Sequence, residues 1–272
     1  MDGVVSETHE HAAGKLRLNL AGGVAAITFN NPAKLNAMNL AMWQALGDVC
    51  TALAENESVR VVTLAGVGEK AFVVGADISE FGETRSNAKT AATYGAAVER
   101  AERAIEEMPV PTLALVRGYC IGGGLGIAMR CDLRLARDDA SFAITPARLG
   151  LGYGFDGVAS LHRRLGHATT SDLLFSGRKL GADEARVKGV CDFVYPSATF
   201  EADCAAYVDR LAWNAPLSIR AAKAALRNLA LPETERDRSA VDAMVKTCFD
   251  SVDYQEGQRA FAEKRTPAFK GY

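Results

Sequence analysis

The run Gly122-Gly123-Gly124 is where the chain most plainly prepares for chemistry. It follows the apolar Thr112 to Val116 and precedes Leu125 to Met129, an order that reads as strand, tight turn and helix. Glycines leave backbone N–H groups open to a ligand, and a helix start adds unpaired donors and the positive end of its dipole. Such a place takes an oxygen carrying negative charge, either a phosphate or an oxyanion that exists only during a reaction. The same glycines would also serve close packing of a helix on a sheet. A second strand end has the same character: Ala71-Phe72-Val73-Val74 runs into Gly75-Ala76-Asp77-Ile78 and again offers small-residue N–H groups. The glycine-rich segment Thr145 to Asp156 reads as a loop over a cleft and supplies three reactive side chains. Tyr153 either packs that loop or orients a ligand, Arg148 either pairs with a carboxylate or is a surface arginine, and Asp156 either caps a helix or acts as a base.

The elements that must hold these groups alternate. Lys15 to Asn19 and Val24 to Phe29 flank Ala21-Gly22-Gly23 and read as a hairpin. Asn30 to Ala37 forms a polar loop, and Asn39 caps a helix to about Glu55 with Met42, Leu46, Val49 and Leu53 on its apolar face. Val59 to Ala65 is short and apolar enough for a buried strand. Ser86 to Glu107 is a long helix with a charged face, closed by Pro109 and Pro111. Asp132 to Ala136 and Ser141 to Ile144 continue the sheet. The alternation predicts an α/β core with right-handed crossovers. Beyond His167 the pattern turns helical, with helices near 168–176, 182–188, 200–213, 217–229, 233–249 and 254–264 and one short strand at 191–194. We divide the chain into a disordered tail at 1–14, a core at 15–200 and a helical region at 201–272. Val241, Met244, Val245 and Phe249 give that last region more apolar surface than it buries alone, which marks it as an oligomerisation element.

Composition excludes several functions. A net charge of −2 advertises no surface for nucleic acid. No apolar run reaches the roughly 20 residues that span a bilayer, and Met1 to Lys15 is polar and acidic, so no membrane association and a cytoplasmic location are expected. The six cysteines are scattered, with no pair at metal-ligand spacing, and read as reduced, buried thiols with no metal site. His9 and His11 fall in the tail, His162 and His167 read as surface residues, and no G-x-S-x-G elbow accompanies them. Gly152, Gly154 and Gly157 match a dinucleotide fingerprint, but Pro146-Ala147-Arg148 separates them from the strand that motif requires.

Four segments, in order, carry a resemblance: Asn31 to Met38, Ala71 to Ile78, Gly118 to Asp132, and Phe261 to Gly271. Together they resemble the crotonase superfamily, the enoyl-CoA hydratase/isomerase family, over roughly Lys15 to Gly271. The resemblance implies a crotonase-like ββα spiral core with a C-terminal helical oligomerisation region, and a homotrimer or dimer of trimers. It implies an acyl-CoA thioester as substrate, with coenzyme A as part of that substrate and no other cofactor. The backbone donors of the oxyanion hole fall on Ala76 and Gly123. The loop holding Ala33, Lys34, Leu35 and Ala37 would lie along the CoA with Asp77 and Ile78 beside it, and Phe261 and Lys264 would reach toward the nucleotide, often across a subunit boundary.

The resemblance also shows what is missing. Hydratases of this family carry two glutamates over the substrate, and here those positions hold Gly126 and Pro146. Each acid–base group is worth about 10² to 10⁴ in rate, so ordinary hydration is disfavoured while enolate stabilisation survives. Ser141 to Tyr153 and Asp253 to Arg265 are similar to the methylmalonyl-CoA decarboxylases of the superfamily, where the position of Tyr153 carries a tyrosine that orients the departing carboxylate. The chain departs from them at Ala76, where they have histidine, and at Gly126, where they have glutamate. The expectation is a lyase or isomerase acting on acyl-CoA thioesters, a decarboxylase among the options. The alternatives are a hydratase or isomerase with acid–base groups relocated to Asp156 or Tyr153, and a CoA-binding homologue without catalysis.

Overall fold

The computed structural model describes residues 7–80, 82 and 86–272. Its larger sheet has seven strands in the order β1 (Glu7–His11), β2 (Leu16–Ala21), β3 (Val24–Phe29), β4 (Val61–Gly66), β6 (Thr112–Val116), β8 (Leu133–Arg137) and β11 (Phe193–Tyr195). The first three are antiparallel, and from β3 to β11 all neighbours are parallel. A smaller sheet runs β10 (Leu180–Gly181), β9 (Ser141–Ala143), β7 (Tyr119–Ile121) and β5 (Ala71–Val73), with β9, β7 and β5 parallel.

The largely apolar runs of β4 and β6 follow from burial on both faces. Val61, Leu113 and Leu135 point one way, onto Phe200, Cys204, Val208 and Ala212 of the helix Phe200–Trp213. Their neighbours Val62, Ala114 and Ala136 point the other way, into the main core with Met42, Leu46, Val49 and Leu53 of helix α1 (Leu40–Glu55). Asn39 caps α1 as its sequence predicts, accepting from the Met42 N–H at 2.9 Å. Further helices are α2 (Ala88–Glu106), α3 (Gly123–Arg130), α4 (Phe155–Ser171), α5 (Ala182–Val187), α6 (Phe200–Trp213), α7 (Pro216–Leu229), α8 (Arg238–Asp250) and α9 (Val252–Glu263). Among the described residues no helix is long and apolar enough to cross a membrane, and no side-chain cluster could hold a metal ion. Cys50, Cys120, Cys131, Cys191 and Cys204 are buried and unpaired, their thiols pushed up by burial.

Several expectations are corrected. Residues 7–14 are not a disordered tail: β1 pairs with β2, helped by Asn19 on Thr8 and Arg17 on Glu10 across the strands. The expected disorder of residues 1–6 lies outside the described residues. Asp156 does not cap α4; Gly154 holds that position and Asp156 sits exposed in the first turn. The helix expected at 233–249 starts later, because Asp237 caps α8 by accepting from the Ala240 N–H at 2.9 Å. The strand that feeds the glycine run is β7 rather than β6. Between them the chain turns at Gly118 (φ +56°), where a Cβ would stand 2.1 Å from the Lys70 carbonyl oxygen.

The C-terminal segment folds back over α9. Glu256 accepts from both Arg265 nitrogens at 2.5 and 3.0 Å and from the Ala268 N–H at 2.9 Å, and Asp253 accepts from the Lys270 and Gly271 N–H groups. These donors, Arg265 foremost, hold the Glu256 carboxyl at about 2 against an ordinary 4.5. A depressed folded value means the stabilisation is fully present above pH 4.5 and disappears as pH falls toward 2. The melting-temperature difference between wild type and Glu256→Gln is therefore expected to shrink over that interval, read by thermal denaturation across the acid range.

Candidate active site

Strands β5 and β7 lie side by side and parallel, with Val73 opposite Cys120, so their C-terminal ends finish together. Beyond β5 the chain makes a single parallel bridge between Ala76 and Met38. That bridge uses the Gly75 carbonyl, which accepts from the Met38 N–H at 2.8 Å, and the Asp77 N–H, which donates to the Met38 carbonyl at 2.8 Å. In a parallel ladder the bridged residue's own N–H faces away, so the Ala76 N–H turns from Met38. Beyond β7, Gly122 (φ +57°) donates to the Ala143 carbonyl and turns the chain into α3, leaving the Gly123 N–H at the first position of a helix. Gly75 (φ +94°) adjoins it: a Cβ there would meet the Gly123 nitrogen at 3.4 Å. A Cβ on Gly124 would stand 2.1 Å from the Val73 carbonyl oxygen, so α3 approaches β5 more closely than any side chain permits.

The ring of Trp43 backs this turn, its Cζ2 3.1 Å from the point a Cβ on Gly123 would occupy. The indole N–H donates to the Tyr94 hydroxyl at 2.8 Å, and that hydroxyl donates to the Met38 carbonyl at 3.1 Å. A buried chain of hydrogen bonds thus ties α1 and α2 to the residue that positions Ala76.

The loop before α1 is clamped to the same strand end. Asn36 donates to the carbonyls of Val67 and Ala71, Asn31 donates to the Ala37 carbonyl, and Leu35 and Asn36 take positive φ values of 51° and 60°. Ala33 and Lys34 remain exposed on its crest while Ala37 is buried. Lys34 Nζ donates to Asp77 Oδ2 at 2.6 Å and to Ser79 Oγ at 2.7 Å. Burial opposes ionisation of Asp77, but the hydrogen bonds from Lys34 and Ser79 outweigh it and hold the carboxyl below its usual range. Asp77 is therefore a brace for the loop, and Ile78 beside it is exposed.

One helical turn beyond Gly123, on the same face of α3, lies Gly126. A Cβ there would stand 2.6 Å from Glu102 Oε1 and 3.7 Å from the Tyr153 hydroxyl oxygen. Glu102 comes from α2; its Oε2 accepts from Arg130 Nε at 3.1 Å, and Arg130 Nη1 also donates to Glu106 at 2.5 Å. Burial pushes the Glu102 carboxyl above its ordinary value in spite of Arg130. The Tyr153 ring packs over Gly157, where a Cβ would come within 2.6 Å of Cε1. Burial, with the Glu102 charge, raises its phenol, so it stays protonated as a donor.

The structure thus brings Ala76, Gly123 and Tyr153 around one region, with the loop at Ala33 to Ala37, Asp77 and Ile78 at its edge. It does not bring in Phe261 and Lys264, which stay exposed at the end of α9 and, among the described residues, share no hydrogen bond or ion pair with it. Arg148 lays its stem over Gly177, and Asp156 is solvent-facing. His162 and His167 meet edge to face on α4, 6.1 Å apart. Glu102 was hidden in the sequence among the charges of its helix. The available signal was its spacing of four from Val98 and eight from Tyr94, which sets a carboxylate on the apolar stripe.

Comparison with known proteins agrees with this architecture. Residues 19–272 match the family model of enoyl-CoA hydratase/isomerase. The chain is 31% identical to a short-chain-enoyl-CoA hydratase of Clostridium acetobutylicum over 248 residues, 91% of this chain and 94% of that one. It is 33% identical to an (E)-benzylidenesuccinyl-CoA hydratase of Thauera aromatica over 259 residues, 93% and 98% of the two chains. A crystal structure of an enoyl-CoA hydratase/carnithine racemase from Magnetospirillum magneticum superposes with a TM-score of 0.91 at 34% identity, covering 95% and 96%. The fold is crotonase-like, and the chain belongs to the enoyl-CoA hydratase/isomerase family.

Proposed function

We propose that this protein is a lyase or isomerase that converts acyl-CoA thioesters through an enolate whose oxygen is held by the N–H groups of Ala76 and Gly123. The observation that carries this reading is the parallel pairing of β5 and β7, which ends both strands beside Gly75 and leaves two backbone donors without a ladder partner. Donors fixed before the reaction stabilise the developing charge without reorganisation, typically by about 10² to 10³ in rate per donor. The Lys34–Asp77–Ser79 cluster fixes the loop along which the CoA would run, with Ala33, Leu35 and Ala37 supplying its wall. No resident cofactor is called for, since coenzyme A arrives on the substrate. A homotrimer or dimer of trimers would cover the exposed Val245, Phe249 and Phe261 and would bring Phe261 and Lys264 to a neighbouring copy's nucleotide.

One observation favours a second reading, loss of CO₂ from a malonyl-type thioester: the Tyr153 hydroxyl stands near Gly126, where it can orient a carboxylate. Glu102 beside it argues the other way, because two carboxylates share that space poorly. A panel of 2-enoyl, 3-enoyl, malonyl, methylmalonyl and β-keto thioesters, incubated in deuterium oxide and read by mass spectrometry, separates the readings. Deuterium uptake and double-bond movement are expected. Mass loss of CO₂ from malonyl thioesters alone would favour the second reading. Absence of binding to every thioester at millimolar concentration would end both.

A further inference from the structure

The gap at Gly126 is filled from another helix. In the hydratases that this chain resembles, a side chain at this position carries a carboxylate over the substrate; here Glu102, arriving from α2, sets Oε1 2.6 Å from where that side chain would begin. We propose that Glu102 is the proton-transferring catalytic residue of this site, a carboxylate delivered by α2 to the place left empty on α3 by Gly126. The assignment rests on the acyl-CoA reading above and deepens it.

Three features of the geometry fit the role. Gly126 follows Gly123 by three residues, about 4.5 Å along the helix and on one face, so a thioester whose oxygen meets the Gly123 N–H extends its next carbons toward Glu102. Oε2 is held by Arg130, which fixes the carboxylate, whereas Oε1 has no donor among the described residues and keeps its lone pairs for a proton. The Tyr153 hydroxyl is on the same side, a protonated donor within reach of the same point. The lack of a side chain at residue 126 suits this placement, because a Cβ there would stand 2.6 Å from Oε1 and make the carboxylate shift.

The step balances without another reactant. Glu102 Oε1 takes a proton from C2 of a 3-enoyl thioester, and the C–H electron pair moves into the carbonyl, whose oxygen becomes the enolate held by Ala76 and Gly123. The carboxylic acid then gives a proton to C4 as the double bond moves into conjugation, and exchange of that acid with solvent between the two transfers carries deuterium into the product. The groups facing Glu102 are Arg130 from α3, Glu106 and Glu99 from its own helix, and Tyr153 from the loop before α4. Burial is the strongest influence among them, so the base titrates above an ordinary glutamate and turnover rises with pH through that raised value.

The experiment follows conversion of 3-butenoyl-CoA to crotonyl-CoA by the absorbance of the conjugated thioester. Glu102→Gln keeps the shape and an acceptor for Arg130. It is expected to lower kcat by about 10² to 10⁴, to leave the Kd for a saturated acyl-CoA within threefold of wild type, and to abolish the acid limb of the pH profile. Glu102→Ala combined with Gly126→Glu returns the carboxylate to α3 in the space just vacated, and is expected to be at least tenfold faster than Glu102→Ala alone. A Glu102→Gln rate within threefold of wild type, or a double variant no faster than Glu102→Ala, overturns the assignment. If wild type converts no thioester of the panel, the acyl-CoA reading falls and this one with it. Wild-type turnover that Glu102→Gln leaves intact removes Glu102 alone.

Discussion

Ala76→Pro is expected to cut turnover of the accepted thioester by about 10² to 10³ while the protein stays folded. Proline removes the Ala76 N–H and fixes φ at that position. The bridge to Met38 is built from the Gly75 carbonyl and the Asp77 N–H, so both of its hydrogen bonds survive the substitution. Ala76 is only partly buried where it packs against the core. An interaction made chiefly in the transition state is lost, so kcat should fall far more than the affinity for a saturated acyl-CoA. Kinetics on the best thioester of the panel, with calorimetric binding and circular dichroism as controls, provide the check. A proline variant with wild-type kcat would remove Ala76 from the chemistry, and equal losses in kcat and binding would assign it to substrate positioning.

The two ends of the proposed oxyanion site were legible only separately. Small residues at Gly75-Ala76 and Gly122-Gly123 announced strand ends with bare backbone, because glycine takes positive φ without strain and lets another backbone come close. What the residues could not announce is that the two strands are neighbours. Tyr119–Ile121 is too short for an alternation to be recognised, and β6 just before it is a better-formed apolar run, so the sequence points to β6 as the strand entering the turn. Pairing is a long-range fact, fixed when β7 docks between β5 and β9.

Local signals also misled at the chain's beginning. Glu7 to His11 has no apolar face, and its strand forms because β2 offers an edge and cross-strand polar pairs, not because the segment seeks a core. Glu102 illustrates the opposite failure. Its neighbours Arg103 and Glu106 pair at the surface or with Arg130 and make the helix look uniformly solvated, yet Glu102 turns inward. That positions 126 and 146 carry no acid was legible, and under the family resemblance it argued against acid–base chemistry. A carboxylate supplied by a different helix weakens that argument at Gly126 and leaves it standing at Pro146, where a short turn begins with no acid in place.

Trp43→Ala is expected to destabilise the protein by about 3 to 5 kcal/mol, the usual range for emptying a large buried aromatic site. Trp43 is 1% exposed and belongs to the main core between α1 and the turn at Gly123. Its removal leaves a cavity against α3 and takes the indole donor from the Tyr94 hydroxyl, which still donates to the Met38 carbonyl. Trp43→Phe keeps part of the packing and loses the indole N–H with the ring edge that carries Cζ2, so its cost should be smaller, about 1 to 3 kcal/mol. Chemical denaturation of both variants measures these values. Catalysis should follow the same order. Both variants lose the ring atoms that back Gly123 and the link to Met38, and alanine leaves the larger void beside the turn, so kcat should fall further for Trp43→Ala than for Trp43→Phe. Equal kcat for wild type and Trp43→Ala at a temperature where both are folded would show that the turn is held by β5 and β7 alone.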